Sequence, residues 1–158
     1  MRPQIALVLA PERDLAPHTR YRLEGPAASA RGARLAFRTG AGSDTAAPTL
    51  TSVAVGAFAA AELGCGPSEQ IPVTIAATDD RAVRYARFRL ARSHADRAAR
   101  RFAFDVIVPI ENGVATLGHG MCWGNHPLDA GDLFFAEITV LDAAFQESGP
   151  RPARVEAR

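Results

Sequence analysis

Lysine is missing from this chain: all 18 basic residues are arginine. Against 17 acidic residues they leave a net charge of +1. There is thus no basic excess to hold a phosphate backbone and no acidic tail to repel one, so nucleic acid is not an expected partner. With alanine heavily used, the missing lysine reads as the coding bias of a GC-rich genome, not as chemistry. Long apolar runs are missing too. None approaches the ~20 residues of a membrane-crossing helix, so an integral membrane protein is not expected. Aromatic residues make up 7% of the chain, too few to interleave with the arginines as a stacking platform for single strands. No G-x-S-x-G, H-E-x-x-H, phosphate loop or dinucleotide glycine fingerprint occurs. The expectation is a protein that is not an enzyme and carries no cofactor. No signal peptide is visible either. The run Ile5–Leu9 is too short for a signal core, and Pro11-Glu12-Arg13-Asp14 interrupts it.

What is present is enough apolar material for a core, 47% of 158 residues, arranged with the period of strands. In Val83–Leu90, Ala86, Phe88 and Leu90 fall on one face, and Tyr85, Arg87 and Arg89 on the other. In Phe134–Leu141, Phe134, Ala136, Ile138 and Val140 alternate with Phe135, Glu137, Thr139 and Leu141. Further strands are expected at Ile5–Leu9, Thr19–Leu23, Ala33–Arg38, Leu50–Val55, Ile71–Ala77, Phe102–Pro109 and Gly113–Leu117, with a short edge strand near the C-terminus. Turn signals such as Glu111-Asn112-Gly113 and Ala130-Gly131-Asp132 separate them. The alanine-rich Phe58–Leu63 favours a short turn of helix stopped by Gly64. Many short strands at this spacing predict an all-β sandwich or barrel. The small, turn-prone run Thr39–Pro48 reads as a linker. It divides the chain into residues 1–44, whose three strands are too few for a core of their own, and residues 45–158, near the size of one sandwich.

Several of these segments resemble bacterial immunoglobulin-like domains of the surface-layer and fibronectin type III-like kind. Leu9-Ala10-Pro11 followed by Leu15-Ala16-Pro17-His18-Thr19-Arg20-Tyr21 is similar to that family's L-x-P … L-x-P-x-T-x-Y hairpin. Phe37-Arg38-Thr39-Gly40 is similar to its closing strand F-x-T-G, and Asp44-Thr45-Ala46-Ala47-Pro48 to its interdomain D-x-x-x-P. Val73–Val83 and Leu128–Ser148 resemble the second and penultimate strands of a following module. The family's D-x-x-G-N-x-S turn is altered here, with Phe145-Gln146 in place of Gly-Asn. The resemblance implies an immunoglobulin-like Greek-key β-sandwich over residues 45–158, preceded by the last strands of a partial module in residues 1–44. It further implies a structural or adhesion role in a secreted or cell-surface bacterial protein. Partners would be neighbouring domains of a longer chain, or a second copy covering the apolar strands of residues 1–40.

Cys65 and Cys122 are the only cysteines. An even count in an extracellular chain fits one disulfide, which the resemblance implies for this pair. Closing the 56 residues between them would stabilise by roughly 3–4 kcal/mol. Two unrelated buried thiols are the plainer alternative. His119, Cys122 and His126, with Met121 nearby, form the densest run of metal-ligating side chains. Their spacing matches no standard zinc finger or blue-copper site, so a metal- or ligand-binding role is the competing function. Asp79, Asp80 and Asp142 end two strands that would neighbour each other at one pole, and offer calcium ligands without the D-x-D-x-D pattern; capping of turn amides is the commoner use. Arg84, Arg87, Arg89, Arg92, Arg97, Arg100 and Arg101 concentrate positive charge along one strand and the following loop; exposed arginine more often supplies solubility and protects a strand edge than binds an anion.

Overall fold

The computed structural model describes residues 13, 15–22, 36–42, 44–64, 66–80, 82–120, 123–126 and 128–158. The expected strand Ile5–Leu9 lies outside them. The described residues belong to two compact units, one ending at Thr45 and one running from Ala46 to Arg158.

The first unit contains β1 (Arg20–Arg22) and β2 (Ala36–Arg38), paired antiparallel with Tyr21 opposite Phe37. Their rings stack at 5.8 Å. The flanking turn is held by side chains. The Thr39 hydroxyl donates to the Ala16 carbonyl (2.6 Å) and accepts from the Thr19 amide (2.8 Å), and the Tyr21 hydroxyl accepts from the Ala16 amide at 2.8 Å.

The second unit is built from strands with one five-residue helix. In chain order they are β3 (Thr49–Val55), β4 (Ala59–Leu63), β5 (Gly66–Thr78), β6 (Val83–Ala91), α1 (His94–Ala98), β7 (Phe104–Pro109), β8 (Val114–Gly120), β9 (Trp123–Gly124), β10 (Leu133–Asp142) and β11 (Arg151–Glu156). They form two antiparallel sheets. One has the order β3-β5-β8-β9, with β4 also on β5; the other is β11-β10-β6-β7. The alternation in β6 and β10 sets their faces as expected. Ala86, Phe88 and Leu90 are buried, as are Phe134, Ala136, Ile138 and Val140. They share one core with Ile71 and Val73 of β5, Ala115 and Leu117 of β8, and Val155 of β11. Leu128, in the connection between β9 and β10, closes that core and is fully buried.

The alanine-rich segment expected to turn as a helix is strand β4. Ala59–Leu63 pairs with Gln70–Gly66 of β5. Ladder pairing outweighs alanine's modest helical preference, which is too small for five residues to nucleate alone. β3 and β4 lie on the same edge of β5, because β3 pairs with the Val73–Thr78 part of it. The break between them comes from Pro72. Its carbonyl accepts from the Gly56 amide at 2.8 Å, but it has no N–H to return. A side chain on Gly56 would meet the Pro72 ring at 2.9 Å, so this crossing needs glycine. The helix α1 falls where only an arginine-rich loop was expected. Ser93 caps it by accepting from the Asp96 amide at 3.0 Å.

Candidate functional site

The arginines of β6 are the starting point, because sequence alternation puts Arg87 and Arg89 on the outward face of a central strand. The register aligns three rows across β7, β6 and β10: Asp105–Arg89–Glu137, Ile107–Arg87–Thr139 and Pro109–Tyr85–Leu141. Arg87 forks onto Asp105 with bonds of 2.7 and 2.6 Å. Its other nitrogen reaches Glu147 at 3.3 Å, and Arg89 reaches Glu147 at 2.7 Å. The Thr139 hydroxyl donates to the same Glu147 at 2.6 Å. Glu147 enters from the β10–β11 connection, not from a strand, and folds over the sheet. The paired Arg87 guanidinium lowers the Asp105 carboxyl below its ordinary 3.8, against the opposing effect of burial. The hydrogen bond that Arg87 donates to Asp105 in turn holds its guanidinium more firmly protonated. Both cations are therefore bonded to carboxylates of this chain. They form a ladder that braces the sheet; on a central strand and mostly covered, they do not protect a strand edge as expected from sequence.

The β10–β11 connection is anchored by Asp142, which is fully buried. Its Oδ1 accepts from the amides of Ala144 (2.7 Å) and Gln146 (2.9 Å). It thus acts as a turn-capping carboxylate. The turn carries Phe145 at φ +63°, the left-handed region where glycine is at ease. That is the position where the resembling family has Gly. Phenylalanine pays about 1–2 kcal/mol to sit there. Its ring stacks on Tyr85 with centroids 5.4 Å apart and remains 40% exposed.

Two described parts of the His119–His126 segment, His119–Gly120 and Trp123–Gly124, pair with each other. His119 pairs with Gly124 and, on the other side, with Glu69 of β5. A side chain on Gly118 would collide with the Glu69 carbonyl, and one on Gly124 would meet His119 Cβ at 2.9 Å. Both glycines have positive φ, so the close approach and the backbone conformation require them. Asn125 fastens the turn. Its amide donates to the Gly118 carbonyl (3.0 Å) and its side-chain Nδ2 to the Thr116 carbonyl (2.7 Å). The chain then carries His126 inward between Phe104 (4.4 Å) and Phe134 (5.6 Å). The Arg92 guanidinium lies 4.4 Å from the Phe134 ring and bonds Asp132 at 2.8 Å. His126 is buried, and its Nε2 has no hydrogen-bond partner among the described residues. Burial pushes its pKa below the ordinary 6.5. Asp132 opposes that, while Arg92 and His119 add to it. The imidazole is thus kept neutral.

No trio of His, Asp and Glu that includes His119 or His126 brings its ligand atoms within 4.8 Å of one another among the described residues. The same holds for Asp79, Asp80 and Asp142 together: the first two lie past the end of β5, while Asp142 ends β10. Cys65 and Cys122 lie outside the described residues. Sequence reasoning missed Glu147, Asp105 and Phe145 as members of the outer face. Nothing local signalled that Glu147 would reach back to β6. No protein family, curated protein or solved structure matches this chain.

Proposed function

We propose that the chain is a non-enzymatic, immunoglobulin-like Greek-key module, serving as a spacer or adhesion unit of a secreted or cell-surface bacterial protein. The observation that carries this reading is strand order. With β3 and β4 as strand A, β5 as B, β6 as C, β7 as C′, β8 as E, β10 as F and β11 as G, the sheets read A-B-E and G-F-C-C′. The chain changes sheet between β5 and β6, again between β7 and β8, and again before β10. This order supports a likeness to fibronectin- and immunoglobulin-like sandwiches, with β9 an addition on the far side of β8. The unit ending at Thr45 fits the closing strands of a preceding module. Its Tyr21 hydroxyl bonds the backbone five residues upstream, as a tyrosine corner does. The run of small residues to Pro48 then suits an interdomain linker.

A Cys65–Cys122 disulfide belongs to this reading. It rests on the even cysteine count and on the resemblance to extracellular domains. Thiol titration of the denatured, unreduced protein from its native compartment should find no free thiol.

The direct test is cellular. Antibody against residues 45–158 should label intact, unpermeabilised cells of the source organism, and fractionation should recover the chain outside the cytoplasm. Recovery in the cytosol alone would overturn the reading. The competing reading, a metal- or ligand-binding protein using His119 and His126, is supported by the unpartnered His126 Nε2. Stoichiometric zinc or copper, lost on His119→Ala and His126→Ala, would favour it.

A further inference from the structure

We infer that β7 is a pairing edge, and that its occupant is β7 of a second copy of this chain, joined antiparallel about a two-fold axis at Ile107. The pairing needs nothing from the spacer or adhesion reading above.

β7 ends the order β11-β10-β6-β7 and pairs only with β6 among the described residues. The register runs from Leu90–Phe104 to Tyr85–Pro109, and the Ile110 amide continues it onto the Arg84 carbonyl at 2.9 Å. Hydrogen-bonded pairs alternate along an antiparallel ladder. Val106 and Val108 therefore aim their backbone groups at β6, whereas Asp105 and Ile107 aim theirs away from it. The amides and carbonyls of those two residues, with the Pro109 carbonyl, form a row open to another strand.

The side chains along this edge do little to repel one. Ile107 and Pro109 stand on the outer face, and Phe104 and Val106 on the inner face are only half-buried. Asp105 is the one charge on β7, and Arg87 already takes it in a two-bond fork. The other edges are better defended. β11 carries Arg151, Pro152 and Arg154. β3 has a register shift between Leu50 and Ser52, and β4 is short and carries Glu62. Beyond the two residues of β9, the Asn125 side chain covers the open side of β8. It donates to the Thr116 carbonyl (2.7 Å) and accepts from the Gly118 amide (3.3 Å). Charges, prolines, bulges and covers keep sheet edges from pairing with other chains. β7 has only Pro109, at its last residue.

A second copy fits because the strand is self-complementary in one register. With Ile107 opposite Ile107 of the second copy, the two isoleucine backbones exchange both hydrogen bonds. Each Asp105 amide donates to the Pro109 carbonyl of the other copy, and the missing proline N–H falls at the end of the ladder. The two Asp105 carboxylates then lie at opposite ends of the pairing. An axis at Val106 would make them diagonal neighbours, and an axis at Val108 or Pro109 would put a proline where a donor is needed. On the inner face, Val106 of each copy lies opposite Val108 of the other and gains cover. Such an isologous pairing closes at two copies.

The test is sedimentation velocity of the full chain from micromolar to millimolar concentration, with Ile107→Lys and Ile107→Glu run alone and mixed in equal amounts. The unaltered chain should dimerise. Either charge placed opposite itself should weaken dimerisation by about tenfold or more, and the mixture should restore it, because lysine then faces glutamate. Neither substitution removes a bond to β6, so both variants should keep the circular dichroism of the unaltered chain. Hydrogen exchange of the unaltered chain gives a second reading that needs no variant. The Asp105 and Ile107 amides should exchange freely when dilute and become protected as the dimer forms. A chain that stays monomeric, a dimer that survives both substitutions, a mixture that stays monomeric, or an Ile107 amide that exchanges freely in the dimer would each overturn the inference.

Discussion

The inner and outer faces of the β11-β10-β6-β7 sheet are cut from the same strands but held by different physics. On the inner face, Phe88, Leu90, Phe134 and Ile138 are fully buried among other apolar side chains. Contact there is nondirectional, and each large side chain contributes about 1.5–3 kcal/mol by leaving water. On the outer face the same strands present Arg87, Arg89 and Thr139, tied by directional bonds through Asp105 and Glu147. Partly exposed ion pairs contribute little stability, about 1 kcal/mol or less each. The inner face therefore supplies the stability of the fold, and the outer face supplies shape and position. A surface held by geometry more than by burial can carry a recognition role with little cost to folding.

Truncation separates the faces most sharply. Phe88→Ala should lower the unfolding free energy by about 3–5 kcal/mol, through lost burial and a residual cavity. Arg89→Ala should lower it by about 1 kcal/mol. Urea unfolding of both variants gives the comparison, and equal losses would abolish the distinction.

Asp142 lies between these extremes, since it is buried yet serves the outer turn. Asp142→Ala leaves the Ala144 and Gln146 amides without their acceptor and should cost about 1–3 kcal/mol. Narrowed dispersion of the amide signals over residues 143–148, with the core signals unmoved, would locate the damage.

Acid should act on the two regions in sequence. His126 has a pKa lowered from 6.5 by burial, so the unfolded chain binds its proton first. Stability should then fall as pH drops below about 6.5 and level off under the folded pKa. Asp105 is lowered from 3.8 by Arg87. Its contribution should persist above that range and be lost as pH falls through the folded value. Urea midpoints measured against pH should show both steps, and His126→Leu should remove only the upper one.

The smallest effect concerns Phe145. Phe145→Gly should be more stable than Phe145→Ala by about 1 kcal/mol, because glycine adopts positive φ without strain while alanine keeps the strain and loses the ring. Equal thermal midpoints would mean that the turn relaxes in the alanine variant.

Much of the fold was legible along the chain. β6 and β10 announced themselves as strands, because period-two alternation needs no knowledge of a partner. The linker over Thr39–Pro48 was readable as a run of small, turn-prone residues, which cannot bury a core. β4 was not, because alanine prefers helix locally and only the ladder with Gly66–Gln70 makes Ala59–Leu63 a strand. The outer site was half visible. The arginines and their face followed from alternation, but their partners did not. Arg87 and Glu147 are 60 residues apart, and no local pattern encodes a contact made by folding a distant loop over a sheet. The histidine pair was singled out as possible metal ligands, whereas His126 packs between Phe104 and Phe134. By itself, then, the sequence determined the all-β class and the alternation of β6 and β10, since these follow from local periodicity and turn chemistry. Tertiary structure alone decided which charges pair, which imidazole is buried and which aromatic ring stays at the surface. Those outcomes depend on register and on loops that return from far along the chain, and both are set only when the two sheets close on one core.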